Sequence, residues 1–191
     1  MAGDPTHTLL RHLAEQAPGT YTHSLRMAEM GESAAEAIGA DGLMCRVGAM
    51  YHDIGKINKP AYFVENQGGG PNKHNKLSPA MSLLIIVGHV KDGIEMAREY
   101  HLPPAIRHFI ESHHGTTLVE YFYHAAKKQQ QSDTAAKPEP SEFEFRYPGP
   151  KPRTKEAAII MLCDSIESAA RTMTAATEPT PARLEQLVHQ I

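Results

Sequence analysis

Helical spacing of apolar residues is the feature that most restricts how this chain can fold. Apolar side chains recur every three to four positions, whereas strand-like alternation of apolar and polar residues is hard to find. Residues at this spacing share one face of a helix, and that face must be buried against a neighbouring element. The predicted fold is therefore all-α. The predicted helices are 20–38, 41–53, 78–90, 92–100, 155–173 and 182–191, and another from the Pro103-Pro104 pair to Gly115.

The size and composition of the chain indicate one soluble domain. Its 191 residues suffice for a single core, and 41% hydrophobic and 21% charged residues are ordinary for a globular protein. The net charge of -3 argues against a partner that is a nucleic acid polymer. No apolar run approaches the roughly 18 residues of a membrane span, so we expect no direct membrane insertion. Cys45 and Cys163 form no paired motif, which favours a reduced, cytosolic environment.

Two polar segments interrupt the helical pattern. The connection 58–77 contains three consecutive glycines, and loops of that length are often functional. The segment 127–142, KKQQQSDTAAKPEPSE, has no large apolar residue and no helical period, which predicts a mobile surface insertion. Both chain ends resemble cut ends, so we expect residues 1–191 to be a single domain of a longer protein.

The placement of histidine and aspartate residues is the main chemical signal. Asp164 falls on the apolar stripe of its helix and Asp53 ends another apolar face, so each needs a cation, a hydrogen-bond partner or a metal ion. Histidines occupy inward edges or ends of helices at positions 23, 52, 89 and 113. Each residue alone is explained as a core residue or a helix cap. The order His, His-Asp, His, His-His, Asp is far more specific and indicates a metal site.

The segments around these residues resemble a known family. They read TYTHSLRMAE, AMYHDIGKI, KLSPAMSLLIIVGHVKDGIEMA, IESHHGTTLVEYFYH, FRYPGPKP and KEAAIIMLCDSIESAAR. The pattern is similar to the HD domain of the seven-transmembrane HD family, in the HD phosphohydrolase superfamily, whose characterised members are cyclic-di-AMP phosphodiesterases. The resemblance runs from Leu9 to Leu187. It implies an HD-domain helical bundle with a binuclear metal site, in the cytoplasmic domain of an inner-membrane protein.

Some features depart from this pattern or fit a neighbouring family. The segment 127–142 is not part of the motifs, and no membrane segment is present, so the membrane origin is implied by the resemblance alone. The cyclic-di-GMP-cleaving HD-GYP enzymes also contain HDIGK. Their double histidine is followed by an acid, whereas Gly115-Thr116-Thr117 follows here. This difference weakens the cyclic-di-GMP interpretation but leaves it open.

The resemblance also implies ligands for two divalent transition-metal ions. One ion would be held by His23, His52, Asp53 and Asp164, and the other by Asp53, His89 and His113. Asp53 would bridge the two ions, and His114 would either ligate the second ion or support a ligand. Imidazole and carboxylate donors without thiolates favour iron or manganese over calcium or structural zinc. In such a site, the expected nucleophile is hydroxide formed from metal-bound water.

Candidate substrate contacts are less specific than the ligand set. Lys56 is placed to contact the scissile phosphate as a point charge, but it would serve equally well as a helix-end lysine that binds terminal carbonyls. Weaker candidates for phosphate, ribose or base contacts are Lys76, Ser78, Thr116, Thr117 and Tyr147. For each of these, capping or surface packing is at least as good an explanation. The histidines at 7, 12, 74, 101, 108, 124 and 189 are interpreted as surface or packing residues.

Together these features predict a metal-dependent phosphodiesterase. The expected reaction is hydrolysis of a cyclic dinucleotide, with cyclic di-AMP favoured, to a linear dinucleotide, and Asp53 and Lys56 are the expected catalytic residues. Cyclic di-GMP, ppGpp and nucleoside monophosphates also fit a bare HD site. An alternative from another class is a sensor domain that binds the nucleotide with little activity. The complete ligand set favours the enzyme, and the sequence leaves the oligomeric state open.

Overall fold

The computed structural model describes residue 4 and residues 6–132, 139–176 and 180–191. Within these residues the fold is all-α, which confirms the predicted fold class. The helices are α1 (Thr8–Gln16), α2 (Pro18–Ala37), α3 (Gly42–Tyr51), α4 (Pro79–Glu99), α5 (Pro104–Ser112), α6 (Glu120–Ser132), α7 (Lys155–Ala176) and α8 (Pro181–Gln190). Strand pairing in the described residues is limited to one isolated bridge between Leu118 and Arg146. None of the described helices is long and apolar enough to cross a membrane.

Helix α4 joins two segments for which the sequence predicts separate helices, 78–90 and 92–100. Ser78 caps its start, because the Ser78 Oγ accepts the Met81 N–H at 3.2 Å. Gly88 does not break the helix, which continues to Glu99. His89 consequently lies in the middle of a long helix, where its side chain is buried.

The apolar pattern alone does not predict helices α1 and α6. Helix α1 buries three leucines, and Ala17 alone separates it from α2. Residues 127–132, which belong to the predicted insertion, are helical and form the end of α6 rather than an irregular segment. Residues 133–138 of that segment lie outside the described residues, so its mobility stays a prediction.

Small residues fill the interface of α3 with its neighbours. The buried face of α3 includes Gly42, Cys45, Gly48 and Ala49. Leu43, which the periodicity predicts to be buried, is instead 66% exposed, and Ile38 after α2 is 58% exposed. The periodicity identified α2 and α3 as helices, but its assignment of Ile38 and Leu43 to their buried faces is wrong. With small side chains between them, α2, α3 and α7 pack closely.

The 3₁₀ helix Ile54–Asn58, which follows α3, lies directly against the middle of α4. A Cβ atom added at Gly55 would be 1.8 Å from the main-chain oxygen of His89. Glycine is therefore required for this approach of two backbones. Asp53, two residues before Gly55, is thereby placed beside His89.

The long connection 58–77 is an ordered wall beside α2. It contains 3₁₀ helices at Pro60–Tyr62, Val64–Asn66 and Lys73–Lys76. Thr20 Oγ1 donates to Glu65 Oε1 at 3.1 Å, and Asn66 Nδ2 donates to Thr20 Oγ1 at 2.9 Å. These bonds attach the wall to the first turn of α2.

Candidate metal centre

Five helices deliver all the predicted ligands to one place. His23 comes from α2, His52 and Asp53 from the end of α3, His89 from α4, His113 and His114 from the end of α5, and Asp164 from α7. His52 and His113 are the C-caps of their helices. At a helix end the chain changes direction, so the side chains of consecutive residues can point to different partners. His52, Asp53 and His113 are each no more than 1% exposed.

The ligand atoms fall into two groups. The His23 group consists of His23, His52 and Asp164, and the His89 group consists of Asp53, His89, His113 and His114. Within each group the potential ligand atoms lie within 4.8 Å of one another. His114 also faces the other group, since its Nδ1 lies 3.5 Å from Asp164 Oδ2.

Asp53 lies between the two groups. Its Oδ1 is 3.3 Å from His89 Nε2 and 3.5 Å from His113 Nε2. Its Oδ2 is 3.3 Å from His52 Nε2 and 3.7 Å from His23 Nε2. One carboxylate thus presents one oxygen to each group, which is the geometry that a bridging ligand requires.

Main-chain carbonyls fix the orientation of three of the imidazole rings. Nδ1 of His52 donates to Ala49 O at 2.6 Å, and Nδ1 of His113 donates to Ile110 O at 2.9 Å. His89 Nδ1 makes the same type of bond to Ile86 O. Because a carbonyl only accepts, the proton of each neutral ring is on Nδ1 and its Nε2 has a free lone pair.

Acceptor atoms therefore face one another in the His89 group, where the Nε2 atoms of His89 and His113 are 3.2 Å apart. In the His23 group, the Nε2 atoms of His23 and His52 are 3.3 Å apart. Asp53 Oδ1 is buried and has no hydrogen-bond partner among the described residues. Facing acceptors repel unless a proton or a metal ion lies between them, and a buried unpaired oxygen in such a place points to an ion. The donor set fits divalent metal ions.

The two groups differ in how firmly they hold protons. Burial, followed by the effect of His113, keeps the pKa of His114 well below 6.5, and burial also lowers the pKa of His89. Burial acts against protonation of His23 as well, but its hydrogen bonds to Asp164 and Glu167 raise the pKa of His23 from 6.5 to about 9. Without a metal ion, His23 therefore carries an extra proton at neutral pH, whereas His89 and His114 are neutral.

Lys56 is enclosed by carboxylates at the edge of the centre. Its Nζ lies 2.6 Å from Asp53 Oδ2 and 2.8 Å from Glu65 Oε1. Burial disfavours these charges, but the Lys56 ammonium holds the pKa of Asp53 well below 3.8. Burial also disfavours the ammonium, but Asp53 and Glu65 raise the pKa of Lys56 above 10.5. Lys56 is consequently a fixed positive charge at neutral pH.

A cleft of about 360 Å³ opens beside the metal centre. Its lining includes Lys56, Tyr62, Phe63, Gln67, Asn72, His74, His89, His114, Tyr121, Phe122, Tyr147, Asp164 and Arg171. Aromatic rings from the 58–77 wall and from α6 thus face the cleft. A larger apolar cavity of about 650 Å³ between α3 and α5 contains none of the predicted site residues.

The predicted substrate contacts divide into two classes. Lys56 and Tyr147 line the cleft, whereas Lys76, Ser78, Thr116 and Thr117 are not part of its lining. Ser78 caps α4, and Thr117 Oγ1 donates to His114 O at 2.8 Å in the turn after α5. Lys76 is exposed in its 3₁₀ helix. Substrate binding by these four side chains stays a prediction.

Tyr147 packs against the metal centre from the cleft side. Its ring stacks on His114 with centroids 4.1 Å apart. Burial raises the pKa of Tyr147 above 10, so the phenol keeps its proton at neutral pH. Tyr147 is therefore a hydrogen-bond donor at the edge of the cleft.

Several charged residues next to the centre are not among the predicted site residues. Glu65 pairs with Lys56, and Glu167 accepts the Nδ1–H of His23 at 2.9 Å. Glu167 and Arg171 follow Asp164 at i+3 and i+7, so all three share one face of α7. That spacing is a signal by which the pair could have been found. His74, interpreted as a surface or packing residue, is 8% exposed and lines the cleft.

Comparison with curated proteins reveals close relatives. The chain is 48% identical over 188 residues to the cyclic-di-AMP phosphodiesterase PgpH of Bacillus subtilis, covering 98% of this chain and 25% of that protein. It is 46% identical to PgpH of Listeria monocytogenes with the same coverage. An uncharacterized protein of Synechocystis, slr0104, is 45% identical over 93% of this chain and 22% of its own length. The chain thus spans about a quarter of the length of these relatives.

Solved structures match the fold described above. The HD domain of L. monocytogenes PgpH in complex with cyclic di-AMP superposes with a TM-score of 0.88 at 45% identity, over 98% of this chain and 83% of that one. A second structure of that HD domain gives a TM-score of 0.86 at 46% identity, over 96% and 82%. A family model of the HD domain matches residues 20–169, which include every ligand of both groups. The family resemblance predicted from the motifs is confirmed, and this chain belongs to the HD domain family.

Proposed function

We propose that this chain is a metal-dependent phosphodiesterase domain that hydrolyses cyclic di-AMP to a linear dinucleotide. The observation that carries the proposal is the pair of ligand groups joined by Asp53 beside an open cleft. The relatives named cyclic-di-AMP phosphodiesterases support the substrate, since they match 98% of this chain. Its cytoplasmic location and its attachment to a membrane region stay predictions from the family resemblance.

The proposed cofactors are two divalent ions, with iron or manganese favoured by the imidazole and carboxylate donors. The His23 group with Asp53 would hold one ion, and the His89 group would hold the other. His114 is close enough to Asp164 to serve at either position. When bound, the ions supply an activated water near neutral pH and neutralise charge that develops on the phosphate and the leaving oxygen.

Lys56 and Tyr147 are the residues proposed to contact the phosphodiester of the substrate. Lys56 stays charged because two carboxylates enclose it, so its ammonium can attract a phosphodiester into the cleft. The protonated phenol of Tyr147 can donate a hydrogen bond to a phosphate oxygen. Neither residue needs to change its protonation state for these contacts.

The walls of the cleft carry aromatic rings that are suited to nucleobases. Phe63 lies beneath Lys56, with the ammonium 5.0 Å from the ring centroid, and Phe122 and Tyr62 flank His74. Tyr121 is 70% exposed at the rim. Phe63 and Phe122 are buried, whereas Tyr62 is half-buried and Tyr121 is exposed. The two tyrosine rings can therefore stack on a nucleobase of any kind, at about 1–3 kcal/mol per base.

The test combines metal analysis with a substrate panel. Protein purified without chelator, or reconstituted with Mn²⁺ or Fe²⁺, is expected to bind about two ions per chain. With either metal, it is expected to hydrolyse cyclic di-AMP faster than cyclic di-GMP, ppGpp or nucleoside monophosphates. Absence of bound metal would reject the centre. Preference for another substrate would reject cyclic di-AMP alone, and binding of cyclic di-AMP without turnover would favour the sensor alternative.

A further inference from the structure

His23 differs from His52, His89 and His113 in the acceptor of its Nδ1–H hydrogen bond. His52, His89 and His113 donate to main-chain carbonyls, whereas His23 donates to the Glu167 carboxylate at 2.9 Å. Its other nitrogen, Nε2, lies 3.2 Å from Asp164 Oδ1. Helix α7 therefore supplies a carboxylate to each side of this ring.

The Glu167 carboxylate is held firmly in place. Arg171, one turn further along α7, has its Nη2 3.3 Å from Glu167 Oε2. Arg26 on α2 has its Nη1 3.6 Å from Glu167 Oε1. The Glu167 side chain is only 10% exposed, so it has few alternative positions. Arg171 also lies 3.8 Å from Glu65 Oε2, which connects this arrangement to the residues around Lys56.

We infer that Glu167 is a positioning residue that orients His23 and strengthens metal binding by the His23 group. This inference rests on the proposed metal-dependent function. A carboxylate that accepts the second ring N–H fixes the tautomer and makes the ligating nitrogen a stronger donor. Removing such a partner typically weakens metal binding by about 10- to 100-fold. Among the predicted metal ligands, His23 is the one to which Glu167 is hydrogen-bonded. The effect should therefore fall mainly on one of the two metal positions.

A purely structural role makes a different prediction. Glu167 also joins α7 to α2 through Arg26, and loss of that ion pair could destabilise the whole domain. Glu156 offers a matched control on the same helix, because it joins α7 to α3 by accepting the Asp41 N–H at 3.1 Å. Glu156 is a member of neither ligand group, and its hydrogen bond is to Asp41 rather than to a residue of those groups.

The experiment is an Mn²⁺ titration of the full chain by chelator competition, with electron paramagnetic resonance as a second readout. In Glu167→Ala we expect one dissociation constant to rise about 10- to 100-fold while the other changes less than about twofold. At one equivalent of Mn²⁺, the variant should give the signal of isolated ions. Glu167→Gln should show a smaller rise, because its amide oxygen still accepts the His23 N–H. Glu156→Gln should match the wild type.

Two results would overturn the inference without touching the proposed function. One is a wild type that binds two ions and a Glu167→Ala variant with the same two constants. The other is an equal loss at both positions accompanied by a fall in the stability of the metal-free variant. A wild type that binds no Mn²⁺ or Fe²⁺ would instead reject the metal centre itself.

Discussion

The His23 group and the His89 group use the same residue types but orient them by different means. In the His89 group, His89 and His113 donate to carbonyls of their own helices. In the His23 group, His52 does the same, but His23 lies between Asp164 and Glu167. A carbonyl leaves a neutral ring with an open acceptor, whereas two carboxylates favour a protonated ring. The His89 group can therefore bind a cation directly, whereas His23 must lose a proton before the His23 group can bind one.

Replacing Asp53 with alanine has the largest expected effect, because it removes an oxygen from both groups at once. We expect hydrolysis of cyclic di-AMP to fall by at least about 1,000-fold, as charge stabilisation by both ions is weakened. Lys56 would keep Glu65 as a partner, so the helical fold should persist. Steady-state hydrolysis with Mn²⁺ and far-ultraviolet circular dichroism measure the two outcomes.

The control for Asp53→Ala is Asp92→Ala on α4. Asp92, about one turn after His89, pairs with Lys59 at 3.7 Å, and this ion pair involves no residue of either group. The variant should keep activity within about twofold, as expected for a partly exposed ion pair. If Asp53→Ala retained a tenth of wild-type activity, Asp53 could not be the bridge between the groups.

Replacing Gly55 with alanine should affect the two groups unequally, because it introduces a steric clash with α4. The new Cβ would meet the His89 main-chain oxygen at 1.8 Å, and a backbone cannot swing aside as a side chain can. We expect the free energy of unfolding to fall by about 3–4 kcal/mol, measured by urea denaturation of the metal-free protein. Because α4 would be pushed away from the 3₁₀ helix Ile54–Asn58, metal binding by the His89 group should weaken more than binding by the His23 group. Equal weakening would show that the groups do not depend on separate helix contacts.

The residues of the predicted ligand set lie together in the structure, and the sequence singles them out because most of them end a helix or interrupt an apolar face. A buried Asp53 or Asp164 is costly without a partner, so its position is informative without knowledge of the fold. Glu167 is different, since it lies beside the apolar stripe of α7, where charged residues are common at a solvent boundary. Its role depends on which ring of α2 packs opposite, and that is set by tertiary contacts.

The lengths and buried faces of the helices likewise depend on tertiary contacts that the local sequence does not show. Gly88 is a weak signal for a helix end, and only the packing of α4 along its whole length shows that the helix continues. The polar end of α6 has no apolar period to predict it. Apart from Tyr51, the buried face of α3 consists of small residues because α2 and α7 lie close, and the spacing of Leu43 and Val47 does not reveal this.

Histidines of the two groups have pKa values shifted in opposite directions in the metal-free protein. The pKa of His23 is raised from 6.5 to about 9, so its stabilisation is complete below pH 6.5 and is lost as the pH rises through 9. The pKa values of His89 and His114 are lowered, so the folded state loses stability relative to the unfolded state as the pH falls below 6.5. Stability should therefore be greatest near pH 6.5.

Urea denaturation of chelator-treated protein between pH 5 and 9.5 tests this profile. The alkaline loss should amount to up to about 3 kcal/mol, given about 1.4 kcal/mol for each pH unit between the two pKa values. His23→Gln should remove the alkaline loss and keep the acid one. If His23→Gln lost stability above pH 6.5 as steeply as the wild type, the alkaline loss would come from a residue other than His23.

The smallest expected effect comes from replacing Gly88 with alanine, one residue before His89. Gly88 lies inside α4, and an added Cβ would meet no atom within 4 Å. Alanine should raise the free energy of unfolding by about 0.5–1 kcal/mol, because glycine loses more backbone entropy when the helix forms. Urea denaturation measures the gain, and Mn²⁺ titration should give unchanged constants for both groups. The carbonyl of Ile86 and the contact at Gly55 fix His89, so greater helix rigidity at position 88 should not move its ring. Selective weakening of the His89 group would mean that this group depends on a flexible α4, and that main-chain hydrogen bonds alone do not prepare it for a cation.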